Sequence, residues 1–257
     1  MLPKILNDSH FGYVFLRSYY NYMPTKINSE YSKKEDLSWH YMGNRKIINY
    51  LKKKISKIKF SSKIYIFTKK KYVCLFVKNF SLNKNNHIFY QVRQTRNLNK
   101  IYNLIEFLNN KKINILILGT KRDHFIKLIP NKIKKLENIY FFNDLSKNYT
   151  VEDQALVAYK SNGFIGSNSG ANGFFGLFLK KHLIFDDAKY PTHRKWQNFH
   201  FIYKKIYNNK TKKFEILDRT KVLNKNKYLK TNKITDYKII ENTFLEIKNK
   251  TIKFFKI

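Results

Sequence analysis

From Tyr72 onward, short apolar runs alternate with amphipathic stretches, and this alternation limits the possible folds more than any other feature of the chain. Six runs have the length of strands: Tyr72 to Val77, His87 to Val92, Ile113 to Leu118, Asn138 to Phe142, Gly163 to Ile165 and His182 to Phe185. Most of the intervening stretches have helical spacing. Ile101, Leu104, Ile105 and Leu108 share one face of a helix over 97–109. A shorter helix fits 122–129, ahead of Pro130. Another starts at Thr150, whose hydroxyl caps it while Asp153, three residues on, completes a capping box. A fourth runs over 171–180. Apolar strands joined by helices return parallel to one another, so the pattern predicts an α/β fold: a parallel sheet with helices on both faces.

The flanks read differently. Residues 1–70 form a small, mainly helical region, with helices over 11–23 and 43–58 and a short strand at Ile64-Tyr65-Ile66-Phe67. Residues 71–205 form the α/β domain. Residues 206–257 pack back on it as a hairpin through Phe214 to Leu217 and a helix over 236–248, which turns Ile239, Ile240, Phe244 and Ile247 inward. The lysine- and asparagine-rich segment 223–233 reads as a solvated connector. With 257 residues, 43% of them apolar, the chain has enough material for a core.

A formal charge of +35 would suggest an anionic partner. Yet Lys, Asn, Ile, Tyr and Phe are all heavily used, as AT-rich codons would dictate whatever the function, and the basic residues run from Lys4 to Lys256. Charge alone therefore leaves three readings: compositional bias, an anionic ligand or membrane surface, and nucleic acid. The one cysteine, Cys74, can form neither an intrachain disulfide nor a cysteine metal cluster, and fits a buried strand in a reducing cytoplasm. No stretch approaches the roughly 20 apolar residues of a membrane span, and the opening residues lack a long apolar leader. A cytoplasmic location is expected, with peripheral contact at the inner face of the plasma membrane through basic surface.

Chemistry concentrates in Gly163-Phe164-Ile165-Gly166-Ser167-Asn168-Ser169-Gly170-Ala171-Asn172-Gly173, which reads as a strand, a tight turn of small residues and a helix. Small residues let the backbone approach a ligand closely. Free amides at the following helix start, with the helix dipole, suit an anion, and Ser167, Asn168 and Ser169 add side-chain donors. In a parallel sheet ligands bind beyond the carboxyl ends of the strands, where this turn would lie. A simple capped strand-to-helix turn explains the same residues. The turn is no GxxxxGK[ST] phosphate loop, since no Lys-Ser or Lys-Thr follows the second glycine.

The succession of a capped helix beginning Thr150-Val151-Glu152-Asp153-Gln154, a strand ending Phe164-Ile165-Gly166, the Ser-Asn-Ser-Gly turn, a helix and a Leu183-Ile184-Phe185 strand resembles the nucleotide-sugar half of GT-B glycosyltransferases. It is similar to the C-terminal domain of the lipopolysaccharide heptosyltransferases, and closer to a family of bacterial glycosyltransferases from surface-polysaccharide gene clusters. In that family a strand leads to a basic residue, an Arg-Asn pair opens a helix, and Gly ends the next strand; here stand Val73 to Lys78, Arg96-Asn97, and Ile115 to Gly119. The resemblance covers about 72–187, with Phe201-Ile202-Tyr203-Lys204-Lys205 a candidate continuation. It implies a Rossmann-like domain in which Ser167, Asn168, Ser169, Gly170 and Ala171 hold the donor diphosphate, and Glu152, Gln154 and Gly119 lie near the nucleoside. Arg93, Arg96 and Lys78 would neutralise the leaving diphosphate, whose charge grows during transfer. Lys78 stands where the family commonly has Arg, which offers a point charge in place of a fork. Asn172 stands where heptosyltransferases have His.

Inverting transfer needs a base for the acceptor hydroxyl; by the resemblance it comes from the N-terminal side, where Asp8 and His10 are candidates, although a helix cap explains them too. About 70 residues before Tyr72 are too few for a second full domain of typical size. No Asp-x-Asp is present, Asp186-Asp187 reads as a strand-end turn, and His124, His193 and His200 lack metal spacing, so metal-independent chemistry without a cofactor is expected. The implied partners are a nucleotide sugar and a glycan or lipid-linked acceptor. Alternatives are a degenerate nucleotide-binding domain without turnover and, last, a basic nucleic-acid-binding protein.

Overall fold

The computed structural model describes residues 62–79, 94–120, 123–146, 151–168, 178–189, 198–218 and 237–257, with Lys53, Ser56, Val92, Phe175 and Gly176. In chain order the elements are α1 (Ser62–Phe67), β1 (Tyr72–Phe76), α2 (Asn99–Asn110), β2 (Asn114–Ile117), α3 (His124–Leu128), α4 (Asn131–Lys134) and β3 (Ile139–Phe141). They continue with α5 (Phe142–Leu145), α6 (Val151–Lys160), β4 (Gly163–Gly166), β5 (Lys181–Asp187), β6 (Phe199–Tyr203), β7 (Lys205–Asn208), β8 (Lys213–Ile216), β9 (Tyr237–Ile240) and α7 (Phe244–Phe255).

Six strands form one sheet in the order β3-β2-β1-β4-β5-β6, with every pair parallel. Alternate residues of each strand feed separate cores, as the two-residue strand period requires. Tyr72, Cys74, Leu116, Phe164 and Ile184 face one helical layer that includes α6. Val73, Leu75, Ile115, Ile117, Ile165, Leu183 and Phe185 face the other, with Ile101, Leu104, Ile105 and Leu108 of α2 and Ile247 of α7. The sheet is thus Rossmann-like and covered on both faces, as the sequence predicts. The central pair fits closely: a Cβ on Gly166 would come within 2.1 Å of the Phe76 carbonyl oxygen, so β1 and β4 can meet here only if that residue is glycine.

Several local expectations are corrected. Ile64 to Phe67 is helical, not extended. Ile64 and Phe67 are buried at i and i+3, while Tyr65 and Ile66 are 54% and 62% exposed; a strand would have put Ile64 and Ile66 on one face. The last helix begins at Phe244, not near Asp236, because Thr243 and Glu246 form a reciprocal capping box at that point. Tyr237–Ile240, read from sequence as the start of that helix, is instead β9, paired antiparallel with β7. The hairpin through Phe214 is present as β7 and β8, and the three strands form a second sheet in the order β8-β7-β9. β6, not read from sequence as a strand, adds the sixth parallel strand beside β5.

The expected helix over 171–180 is seen at Phe175 and Gly176, and the chain has left it by Leu179, whose φ is 53°. Asp153, expected in a capping box with Thr150, accepts the Ser146 hydroxyl at 2.6 Å; Thr150 lies outside the described residues. Also outside them are the expected helices over 11–23 and 43–58 apart from Lys53 and Ser56, the strand His87 to Val92 apart from Val92, which is buried and helical where the sequence predicts a strand, and the connector 223–233.

Candidate functional site

The strand order reverses between β1 and β4. The chain steps outward from β1 to β2 and β3, returns to lay β4 beside β1, and then steps the other way to β5 and β6. At such a switch point the connections leave toward opposite faces, and a crevice opens beyond the carboxyl ends of the two strands. Here the residues at that edge are Val77, Lys78 and Asn79 after β1, and Ser167 and Asn168 after β4.

Hydrogen bonds knit these segments together. The Thr95 amide donates to the Lys78 carbonyl at 2.8 Å, the Lys78 amide donates to Ser167 Oγ at 3.2 Å, and Thr95 Oγ1 lies 3.1 Å from Ser167 Oγ. Asn79 Nδ2 donates to the Thr95 carbonyl at 2.6 Å. The Ser167 amide itself continues the sheet, donating to the Phe76 carbonyl at 2.9 Å. Asn168 Nδ2 donates to Asp187 Oδ2 at 3.0 Å.

Beneath this edge lies a cluster of buried charges. Lys100, in the first turn of α2, places Nζ 2.6 Å from Asp186 and 2.9 Å from Glu241. Asp186 also accepts Thr95 Oγ1 at 2.8 Å, and it exchanges bonds with Asn242: its amide donates to Asn242 Oδ1, and the Asn242 amide returns to Asp186 Oδ1. Lys204, wholly buried, stands 3.9 Å from Glu241. Glu241 in turn accepts the amides of Arg96 at 2.6 Å and Asn97 at 3.1 Å. Both amides belong to the two residues ahead of the α2 N-cap, Leu98, so an internal carboxylate sits beside that helix start, which favours an anion.

Burial pushes the Asp186 carboxyl above its ordinary range, with Lys100 pulling it back and Glu241 adding repulsion. For Glu241 burial also pushes upward, yet Lys100 and Lys204, with the Arg96 amide, outweigh it and hold the carboxyl below the usual range. The Lys204 ammonium is lowered by burial, which its acidic neighbours offset only in part. Asp186 adopts φ 53° at the end of β5, a left-handed backbone that the surrounding bonds hold in place.

Of the residues singled out from sequence, Lys78, Arg96, Ser167 and Asn168 meet at this edge. Arg96 is exposed and Lys78 half-buried. Ser167 departs from its expected part: its side chain is buried, and hydroxyl and amide both serve the framework. Gly119 follows β2 with φ 128°, a conformation that favours glycine, and its carbonyl accepts Asn143 Nδ2 at 2.8 Å. Gln154 is half-buried in α6, and Glu152 lies in the first turn of that helix. Asp8, His10, Arg93, Ser169, Gly170 and Ala171 lie outside the described residues.

The sequence reading gives no role to Lys100, Lys204 or Glu241, and takes Asp186 only as part of a strand-end turn. One signal was available: Lys100 falls on the same helical stripe as Leu104 and Leu108, a cation where an apolar residue is due. Asp186 and Asp187 do end a strand, as read, but Asp186 also joins β5 to α2 and to the β9–α7 link.

Strand order defines the class: a doubly wound α/β protein with Lys78, Arg96, Asn79 and Asn168 beside its switch point. No family model matches the chain, and none of the curated proteins does. Among solved structures it is similar to E. coli heptosyltransferase WaaC with ADP (10% identity, 55% of this chain and 39% of that one, TM-score 0.36). The same enzyme with ADP-2-deoxy-2-fluoro heptose gives 11% identity, 74% and 47% coverage and a TM-score of 0.39. E. coli ADP-heptose lps heptosyltransferase II gives 8%, 62%, 43% and 0.38. The chain spans less than half the length of each. A likeness at these scores carries no functional weight, and the class rests on the strand order itself.

Proposed function

We propose that the chain is a glycosyltransferase that takes a sugar from a nucleotide-activated donor to a cell-surface glycan or lipid-linked acceptor, without a metal. One observation carries the reading: the β1/β4 switch gathers Lys78, Arg96 and the start of the small-residue turn at a single strand edge, where doubly wound sheets hold nucleotides. Because Glu241 already occupies the Arg96 and Asn97 amides, a donor diphosphate would meet side chains instead: Arg96, Lys78 and Arg93, together with Asn168 and the turn residues Ser169, Gly170 and Ala171. Fixed cations there would stabilise the charge that grows on the leaving diphosphate. Gln154, Glu152 and Gly119 would border the nucleoside, and Asp8 or His10 would take the acceptor proton.

The test is thermal: a nucleoside diphosphate should raise the melting temperature through preferential binding to the native state, and Arg96→Ala or Ser169→Trp should remove the shift. Unchanged melting with all common nucleoside diphosphates and nucleotide sugars would overturn the reading. The Glu241 contact also favours a second reading, a domain that retains the nucleotide fold but has filled part of its anion-binding edge. It predicts nucleotide binding with neither transfer nor donor hydrolysis.

A further inference from the structure

We infer that the amino-terminal edge of the six-stranded sheet, opposite the candidate site, is a docking surface for an anionic lipid bilayer. The turns that enter the strands are lysine-rich: Lys69, Lys70 and Lys71 before β1, Lys111 and Lys112 before β2, and Lys181 at the start of β5. Among the described turns entering this sheet, the one acidic residue is Glu137. At the other end stand Asp123, Asp144, Asp153, Asp186, Asp187 and Glu241, of which Asp153, Asp186 and Asp187 are buried, beside the cations Lys78 and Arg96. Compositional bias raises the lysine content everywhere; it does not keep acids out of the turns that enter one sheet. A surface of one sign attracts an opposite one over roughly a Debye length, about 8 Å at physiological salt.

Apolar features at the same edge favour a bilayer over a nucleic acid. Tyr65 and Ile66 of α1 are exposed just ahead of the three lysines, with Lys69 Nζ 5.2 Å from the Tyr65 ring centroid. A cavity of about 440 Å³ lies among Lys71, Lys112 and Lys181, and its walls include Val73, Leu108 and Phe255. Cationic heads around apolar walls match a lipid headgroup above its acyl chain. β1 is five residues long, which at the usual rise of about 3.3 Å per residue sets the two edges about 17 Å apart. A bilayer at one edge would therefore leave the crevice at the other open to water. The inference stands apart from sugar transfer.

Flotation of the full chain with phosphatidylcholine vesicles, with and without phosphatidylglycerol, tests it. The chain should bind only the anionic vesicles. The triple variant Lys69→Glu, Lys71→Glu, Lys111→Glu should lose more than about tenfold in affinity. A control triple on exposed lysines of the second sheet, Lys210→Glu, Lys213→Glu, Lys238→Glu, should retain it, and Ile66→Ser should lower the part that survives high salt. If the edge triple melts early, the corresponding glutamine triple replaces it. Equal loss in both triples, absence of binding to anionic vesicles, or loss of single-stranded RNA binding by the edge triple while vesicle binding persists would each overturn the inference.

Discussion

Lys100 places its ammonium against two carboxylates where little water reaches, 2.6 Å from Asp186 and 2.9 Å from Glu241. Buried charges are tolerable only in company, so removing the cation leaves two desolvated acids facing each other. Lys100→Met should cost about 3–5 kcal/mol of stability, read as a lower denaturant midpoint. Glu241 gives the cluster a pH signature. Its folded carboxyl is held below the ordinary range, so the unfolded chain binds its proton more readily. Its contribution is complete above the ordinary carboxylate range and is lost as pH falls through the depressed value. Melting temperature should therefore fall less steeply on acidification in Glu241→Gln than in the parent chain. An equal or steeper fall would contradict the assignment.

At the level of elements, capping decides where α7 begins. Thr243 Oγ1 accepts the Glu246 amide at 3.2 Å, and Glu246 Oε2 accepts the Thr243 amide at 2.8 Å. That exchange satisfies two donors and releases Tyr237–Ile240 to pair with β7. Thr243→Ala should cost about 1 kcal/mol by denaturation. The signature Thr-x-x-Glu before an apolar run is plain in the sequence, but the apolar spacing of Ile239, Ile240, Phe244 and Ile247 also fits a helix continued backward across it. β9 exists because β7 offers an open edge, which no local pattern records. In α1 the apolar run Ile64 to Phe67 suits a strand by composition, and the core decides otherwise by accepting only Ile64 and Phe67.

Across the whole molecule the two ends of the sheet are assigned different work, so their perturbations should separate. Arg96→Ala should abolish the nucleotide-induced rise in melting temperature while leaving flotation with anionic vesicles intact; the Lys69, Lys71 and Lys111 variant should do the reverse. Loss of both properties in either variant would mean that the edges are coupled. Among the described residues no helix is long and apolar enough to cross a membrane.

The sequence by itself determined the parallel α/β class, five of the six strands of the main sheet, and the buried face of α2, because hydrophobic period and element length are local properties. It also marked Ser167 and Asn168, small polar residues after a strand that point to one edge of a parallel sheet, while Lys78 and Arg96 were marked by the resemblance alone. Only the tertiary structure decided that Ser167 serves the framework, that Glu241 takes the Arg96 and Asn97 amides, and that Lys100 joins Asp186 to Glu241 across 86 and 141 positions of chain. Such pairings depend on which segments the core brings together, and a buried lysine looks no different from a solvated one until its neighbours are in place.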